Sequence, residues 1–151
     1  MMERLGHWAA SDPARPFLTF LDRGEKPNAK LSFALLHDKA AAVGSALVER
    51  GLAGQCVVLA FPSGPEFVVA LFACFHAGVI AVPAPYPLQA SASARLVGIA
   101  QAAGAGSVLL PDAAIGAPAG LTETLALAGL AKLGLDELAA STSSALPPRA
   151  A

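Results

Sequence analysis

Residues 56–87 read CVVLAFPSGPEFVVALFACFHAGVIAVPAPYP, and this stretch decides the fold class. A continuous apolar run at Cys56–Phe61 ends in a Pro-Ser-Gly-Pro segment. The apolar stretch Phe67–Ala77 is long enough for three helical turns, and Val79–Val82 is a second apolar run that ends at a proline-rich segment. Strands that are apolar throughout are expected in a parallel sheet covered on both faces. The stretch therefore predicts a strand–helix–strand unit.

The residues that follow repeat the pattern. Residues 91–103 have Leu96, Ile99 and Ala103 at steps of three and four, which predicts a helix, and Ser107–Leu110 is another apolar run that ends at a proline. Strand, helix, strand, helix and strand thus alternate over residues 56–110. Such units joined by short loops predict an α/β fold, with an open, mostly parallel sheet flanked by helices.

Beyond Pro111 the pattern is weaker. We predict one strand near Ala126–Leu130 and one turn of helix near Leu135–Leu138. Residues 141–151 are mostly Ser, Pro and Ala, which is typical of a linker or a frayed tail. The predicted domain is therefore residues 1–140, followed by a tail at residues 141–151.

Two strands and two helices are predicted before Cys56. Residues 3–11 form a short helix that Pro13 ends, and Phe17–Leu21 and Lys30–Phe33 are short strands around a polar loop at Asp22–Ala29. The two strands suggest a hairpin over residues 17–33.

The next helix carries clear signals at both ends. Over Ser32–Arg50, apolar residues recur at helical spacing, with Ser32 suited to the N-cap and Gly51 to the C-terminal stop.

The composition is unusually apolar. Hydrophobic residues make up 55% of the 151 residues and charged residues 14%, against roughly 45–50% and 25% in average domains. The excess suggests a missing neighbour, a partner chain or a membrane. The apolar stretch Phe67–Val82 is shorter than the roughly 20 residues that a membrane span needs, so we expect no span. The N-terminus has no apolar run of secretory type, so we expect a cytoplasmic protein.

Charge and cysteine content exclude further classes. The net charge is −1 with scattered Lys and Arg, which gives no support to nucleic-acid binding. Cys56 and Cys74 lie in apolar runs and are interpreted as core thiols of a reducing compartment, with a disulfide as the alternative. Two cysteines do not make a four-ligand structural zinc site.

The glycines and histidines provide no convincing site. The pair Gly104 and Gly106 lacks the third glycine of a dinucleotide loop, since Leu109 stands there, and it is interpreted as a helix C-terminal turn. The three histidines, His7, His37 and His76, lie on predicted helices. Since His76 is near a helix C-terminus, we expect it to stabilise that end, with a catalytic or ligand role as the alternative.

The serines and carboxylates are equally weak. Ser63 is not in a nucleophile elbow. Asp112 follows a strand end, where α/β sheets bind ligands, but a single carboxylate is weak evidence. Asp136 and Glu137 are expected in a solvated helical turn. We therefore assign no catalytic, cofactor-binding or metal-binding residue.

Three segments resemble adenylate-forming enzymes. Leu31-Ser32-Phe33 with Leu36 is similar to their first core motif, although Phe33 stands where the family usually has tyrosine. Residues 71–83, LFACFHAGVIAVP, resemble the second core motif, and residues 61–67, FPSGPEF, also fit.

Three further segments resemble the fatty acyl-AMP ligases within that superfamily. Residues 17–22, FLTFLD, are similar to their early Tyr-Thr-Phe-Leu segment, and residues 81–87, AVPAPYP, resemble their Ala-Val-Pro-x-Tyr-Pro-Pro signature with the tyrosine displaced by one. Arg95-Leu96, followed by Ile99 and Ala100, is similar to the helix after that signature. The resemblance covers about residues 1–110.

The resemblance implies a two-step reaction for a parent enzyme. A fatty acid and ATP, with Mg²⁺, would give acyl-adenylate, and the acyl group would pass to an acyl carrier protein. The family's glycine-rich ATP loop and its lysine are expected soon after residues 121–151, but Ser141–Ser144 is followed by Ala145-Leu146-Pro147-Pro148.

We therefore expect an N-terminal scaffold fragment that is inactive alone, holds no cofactor and has the remainder of the ligase as its partner. The alternative is a free-standing interaction module that forms a homodimer through exposed apolar surface.

Overall fold

A computed structural model describes residues 2–22, 26–112 and 117–143. Six helices and six strands lie in these ranges. In chain order they are α1 (Met2–Ser11), β1 (Pro16–Asp22), β2 (Lys26–Ser32), α2 (Phe33–Glu49), β3 (Cys56–Ala60), α3 (Pro65–Ala77), β4 (Ile80–Ala84), α4 (Ala90–Ala103), β5 (Ser107–Leu110), α5 (Leu121–Leu127), β6 (Ala131–Gly134) and α6 (Leu135–Ser143).

Four strands form a parallel sheet in the order β4-β3-β5-β6. Cys56 pairs with Ile80, Val57 with Ser107, and Val108 with Lys132. The predicted α/β class, a parallel sheet flanked by helices, is confirmed. Its continuous apolar strands are explained by burial, because Val57–Ala60 and Ser107–Leu110 are buried throughout.

The two faces of the sheet pack against different helices. Val57 and Leu59 belong to one core with side chains of α2, α3 and α6, whereas Val58 and Ala60 belong to a second core with side chains of α4 and α5. This alternation follows from the period of two along a strand. The helices that follow β3 and β5 therefore lie on opposite faces.

β1 and β2 form a separate antiparallel hairpin. It is longer than the sequence suggested, because Asp22 pairs with Lys26, and residues 26–29 are strand rather than loop. The polar character of these residues misled the prediction, since backbone hydrogen bonds form the ladder whatever the side chains are. Pro27 lies next to an irregularity in the pairing, a position that strands allow to proline.

α2 begins and ends at its predicted signals. The Ser32 hydroxyl accepts a hydrogen bond from the Leu35 N–H at 3.1 Å. The helix ends at Glu49, and Gly51 follows with a φ of 74°, the left-handed conformation that glycine adopts most easily.

The prediction of a strand near Ala126–Leu130 was wrong. α5 continues to Leu127, because Leu121 and Leu125 are buried one helical turn apart. The chain reverses at Gly129, where φ is 75°, and the strand begins at Ala131.

The last predicted turn of helix is a nine-residue helix, α6. It includes residues 141–143, so the first three residues of the predicted tail are helical. Residues 144–151 lie outside the described residues.

One edge of the sheet is modified by a proline. The Ile80 N–H donates to the Gln55 carbonyl at 2.9 Å, so the backbone groups of Ile80 and Val82 face β3. Those of Ala81 and Pro83 consequently face outward. Pro83 has no N–H, which leaves the outer edge of β4 without a donor at that position.

Candidate functional site

The chain connections place a crevice at the carboxyl end of the sheet. β3 leads through α3 to β4 on one side, whereas β5 leads through α5 to β6 on the other side. The loops after β3 and β5 therefore diverge. In open α/β sheets, ligands bind outside the carboxyl ends of the strands at such a switch point.

A cavity of about 220 Å³ occupies this crevice. We call it the switch-point cavity. Its lining comes from the loops after β3, β4 and β5 and from the starts of α3 and α6. It consists of Pro62, Ser63, Gly64, Pro65, Glu66, Tyr86, Pro111, Asp112 and Asp136.

Asp112 lines this cavity, but its carboxylate also caps a helix. Oδ1 accepts a hydrogen bond from the N–H of Asp136 at 2.8 Å, and Oδ2 accepts one from the N–H of Glu137 at 3.0 Å. Negative charge at a helix N-terminus is favoured by the exposed N–H groups there. Asp112, which was a candidate because it follows a strand end, therefore caps the N-terminus of α6.

The other sequence candidates are dispersed. Ser63 lines the switch-point cavity, but none of the three histidines does. His76 lies in the last turn of α3, about 15 Å along the helix from Glu66 at the usual rise per residue. His37 contacts Asp38 at 3.5 Å, and the His7 ring packs edge-on against Trp8. Within the described ranges, no nucleophile–histidine pair forms at the cavity.

The glycine and cysteine candidates have structural positions. Gly104 ends α4 with a φ of 70°, as expected for a helix C-terminal turn. Cys56 and Cys74 are free thiols. Burial raises the pKa of the Cys74 thiol to about 12, which makes it a poor nucleophile at neutral pH.

Sequence analysis missed two titratable residues of the cavity. Burial, followed by the charges of Asp136 and Asp112, raises the pKa of Glu66, and Lys39 opposes this shift. Burial and the charge of Glu66 raise the pKa of Tyr86. The sequence analysis began this helix at Phe67, whereas α3 begins at Pro65, so Glu66 lies in its first turn, at the carboxyl end of the sheet.

The charge of this lining limits its chemistry. Its described residues carry three carboxylates, one phenol and one hydroxyl, and include neither Lys nor Arg. A triphosphate requires cations or a row of backbone N–H groups to balance its charge. The described part of this lining therefore presents negative rather than positive side-chain charge to a ligand.

The fold is that of adenylate-forming enzymes. A solved fatty acyl-adenylate ligase of L. pneumophila, in complex with acyl adenylate and pyrophosphate, superposes with a TM-score of 0.75 at 22% identity over 99% of this chain and 25% of its own. A second structure, from work on the fatty acyl-adenylate ligases of E. coli and L. pneumophila, has a TM-score of 0.73 at 26% identity over 99% of this chain and 26% of its own.

Residues 5–149 match the family of AMP-binding enzymes, and the chain belongs to that family. A medium-chain-fatty-acid–[acyl-carrier-protein] ligase of Moorena producens is 42% identical over 74 residues, which are 49% of this chain and 12% of that protein. The resemblance to fatty acyl-AMP ligases is thereby confirmed. The chain spans about a quarter of the solved ligases and about an eighth of the curated relative.

Among the described residues, no helix combines the length and apolar character of a membrane span.

Proposed function

We propose that this chain is the N-terminal scaffold of a fatty acyl-AMP ligase and has no adenylation activity alone. In the complete ligase, a fatty acid carboxylate attacks the α-phosphate of ATP, which gives acyl-adenylate and pyrophosphate. The acyl group then passes to the thiol of an acyl carrier protein. The observation that carries the proposal is the 42% identity to a fatty-acid ligase over 74 residues, within a family match to residues 5–149.

Two features of the sequence and the cavity support the proposal that the chain alone does not catalyse adenylation. Adenylation needs cations near the phosphates, and the switch-point cavity has carboxylates instead. The sequence contains no glycine-rich loop followed by lysine of the kind that holds ATP phosphates in this family. In this proposal, Mg²⁺, ATP and the carrier protein are bound by the remainder of the ligase.

The free thiols favour the cytoplasm as the location. Cys74 is buried and Cys56 is half-buried, and both are thiols, the form that a reducing compartment maintains.

Fatty-acid-dependent exchange between pyrophosphate and ATP tests this proposal. We expect no exchange by the purified chain with saturated fatty acids of 8–16 carbons, and no heat of binding when ATP and Mg²⁺ are titrated into it. Saturable ATP binding with formation of acyl-adenylate by this chain alone would overturn the proposal.

The coding sequence provides a second test. Sequencing the gene beyond codon 151 is expected to reveal an in-frame Ser/Thr/Gly-rich loop followed by a lysine. A stop codon directly after Ala151, together with a concentration-dependent dimer in gel filtration, would favour the free-standing interaction module instead.

A further inference from the structure

A groove of about 410 Å³ lies between α2, α3 and α6. We call it the three-helix groove. Leu35, Lys39 and Val43 line it and are spaced four residues apart along α2, so they form one stripe about 12 Å long at the usual helical rise. Residues from the first two turns of α3 and of α6 complete most of the lining.

The floor of the three-helix groove is apolar and buried. Among its lining residues, Leu31 is 2% exposed, Val43 1%, Val69 4% and Leu135 5%. The volume exceeds the roughly 150 Å³ of a cavity that holds benzene, and it lies within the roughly 300–1,000 Å³ of small-molecule pockets. The groove therefore has room for an apolar body the size of a phenyl ring.

Three exposed charged side chains stand at the rim of this groove, namely Lys39, Glu66 and Asp136. The two carboxylates mark the end where the groove meets the switch-point cavity, because both residues line both spaces. Within the described ranges, neither carboxylate has an ion-pair partner. Both are therefore available to a ligand in the groove.

Negative charge dominates at this end of the groove. After burial, the charges of Asp136 and Asp112 are the main causes that raise the pKa of Glu66, and each outweighs the opposing effect of Lys39. A cation near Glu66 and Asp136 would relieve this repulsion. Hydrogen bonds from a cation to a carboxylate are also roughly twice as strong as those between neutral groups. The complementary ligand therefore has an apolar body and one positive charge.

We propose that the three-helix groove binds a small organic cation that carries a primary ammonium group on an apolar body. The ammonium group has three donors, and these hydrogen-bond to the carboxylates of Glu66 and Asp136. The apolar body covers the floor at Val43, Val69 and Leu135. The inference goes beyond the proposed ligase function, because neither ATP nor a fatty acid takes part.

Titration of phenethylamine into the isotope-labelled chain, followed by NMR at low ionic strength, tests this proposal. We expect saturable shifts of amide signals in α2 and in the first turns of α3 and α6. Phenylethanol, which has the same body without the charge, is expected to bind about tenfold more weakly. Methylamine, which has the charge without the body, is expected to bind about a hundredfold more weakly.

Removal of the two carboxylates separates a site from nonspecific binding. In the Glu66→Gln/Asp136→Asn variant, phenethylamine and phenylethanol are expected to bind equally weakly. Glu123→Gln/Glu137→Gln is the matched control, because it removes two carboxylates from helix starts outside the groove, and it should change phenethylamine binding by less than about twofold. Circular dichroism verifies that each variant is folded.

Two further variants test the floor and the sign of the charge. Ala139→Leu narrows the groove without a change of charge and is expected to weaken phenethylamine binding, whereas Ala140→Leu, at the exposed position beside it, is the matched control. Lys39→Gln removes a like charge and is expected to strengthen phenethylamine binding about two- to fivefold.

Three results would overturn the proposal. They are the absence of saturable shifts with phenethylamine, equal binding of phenethylamine and phenylethanol by the unaltered chain, and unchanged phenethylamine binding in the Glu66→Gln/Asp136→Asn variant. Saturable binding of phenylpropionate in place of phenethylamine would assign the groove to an anion and would also overturn it. So would a response to poly-L-lysine but not to phenethylamine, since the groove would then recognise a basic chain rather than a small amine.

Discussion

The carboxylate of Asp112 lies against the α-carbon of Gly134, and a Cβ built on that glycine would come within 2.6 Å of Asp112 Oδ1. The same carboxylate accepts hydrogen bonds from the first N–H groups of α6. The end of β5 is thereby tied to the start of α6, and this connection requires a residue without a side chain at the end of β6.

We therefore expect Gly134→Ala to destabilise the protein. The new methyl group displaces the Asp112 carboxylate, and the loss of a helix cap costs about 0.5–2 kcal/mol. Urea denaturation followed by circular dichroism measures the free energy of unfolding. Gly106→Ala is the matched control, because a Cβ there meets nothing within 4 Å, and its effect is expected to stay within about 0.5 kcal/mol.

Combining Gly134→Ala with Asp112→Ala tests whether displacement of the Asp112 carboxylate causes the loss of stability. Alone, this change removes the cap and is expected to cost about 1 kcal/mol. Once the carboxylate is absent, Gly134→Ala has little left to disturb, so the double variant is expected to lose less than the sum of the two. Additive losses would contradict this account.

Gly44 allows α2 and α3 to approach closely. A Cβ at this position would lie 2.6 Å from His76 Cδ2 and 2.9 Å from the Ala73 carbonyl oxygen. Gly44→Ala is expected to destabilise the protein by about 1–3 kcal/mol, because overpacking outweighs the better helix propensity of alanine. Thermal unfolding measures this loss.

Gly98 on α4 provides the matched control for Gly44. A Cβ there meets nothing within 4 Å, so Gly98→Ala is expected to stabilise the protein by about 0.5–1 kcal/mol. In a His76→Ala background, the cost of Gly44→Ala is expected to fall but not to vanish, since the Ala73 carbonyl remains. A neutral Gly44→Ala would show that the two helices separate freely.

Ser93 is 4% exposed, and its hydroxyl has no hydrogen-bond partner in the part of the chain that the structure describes. An unsatisfied buried polar group costs about 1–3 kcal/mol. Ser93→Ala is therefore expected to raise the free energy of unfolding by about 1 kcal/mol, measured in urea. Ser91→Ala, an exposed change on the same helix, is expected to have almost no effect, and a clear loss in Ser93→Ala would reveal a missing partner.

The raised pKa of Glu66 predicts a pH-dependent stability. Below its ordinary pKa of 4.5, the carboxyl is neutral in both the folded and the unfolded chain. As the pH rises, the unfolded chain releases this proton more readily than the folded one, so the wild type loses stability relative to Glu66→Gln.

We expect the gain in Tm of Glu66→Gln over the wild type to be larger at pH 7 than at pH 4. Glu123→Gln, in the first turn of α5, is the matched control for the removal of a carboxylate from a helix start. A gain that shrinks towards neutral pH would contradict the assigned effect of burial, Asp136 and Asp112 on Glu66.

The fold was predictable where local chemistry and burial agree. The apolar runs at Val57–Ala60 and Ser107–Leu110 are buried throughout, and Ser32 caps a helix as its side chain allows. Near β6, apolar content and burial no longer coincide. Leu127 is 90% exposed in α5, while the first two residues of β6 are exposed and only Leu133 and Gly134 are buried. Apolar content therefore misplaced this strand by a few residues.

The sequence predicted where the candidate site lies, but not the interactions within it. The strand-end rule selected Asp112, which does line the switch-point cavity. Its hydrogen-bond partners lie 24 and 25 residues further along the chain, a separation that no local pattern encodes. The elevated pKa of Glu66 likewise arises from burial and then from the charges of Asp136 and Asp112, which only folding brings about.

Pro83 makes the two borders of the sheet chemically unequal. A strand that approached β4 would find a pyrrolidine ring where it needs a donor, whereas the backbone groups of Lys132 in β6 face away from β5. A strand added at β4 would therefore form one backbone hydrogen bond fewer at Pro83. Pro83 therefore disfavours edge-to-edge pairing of two molecules through β4.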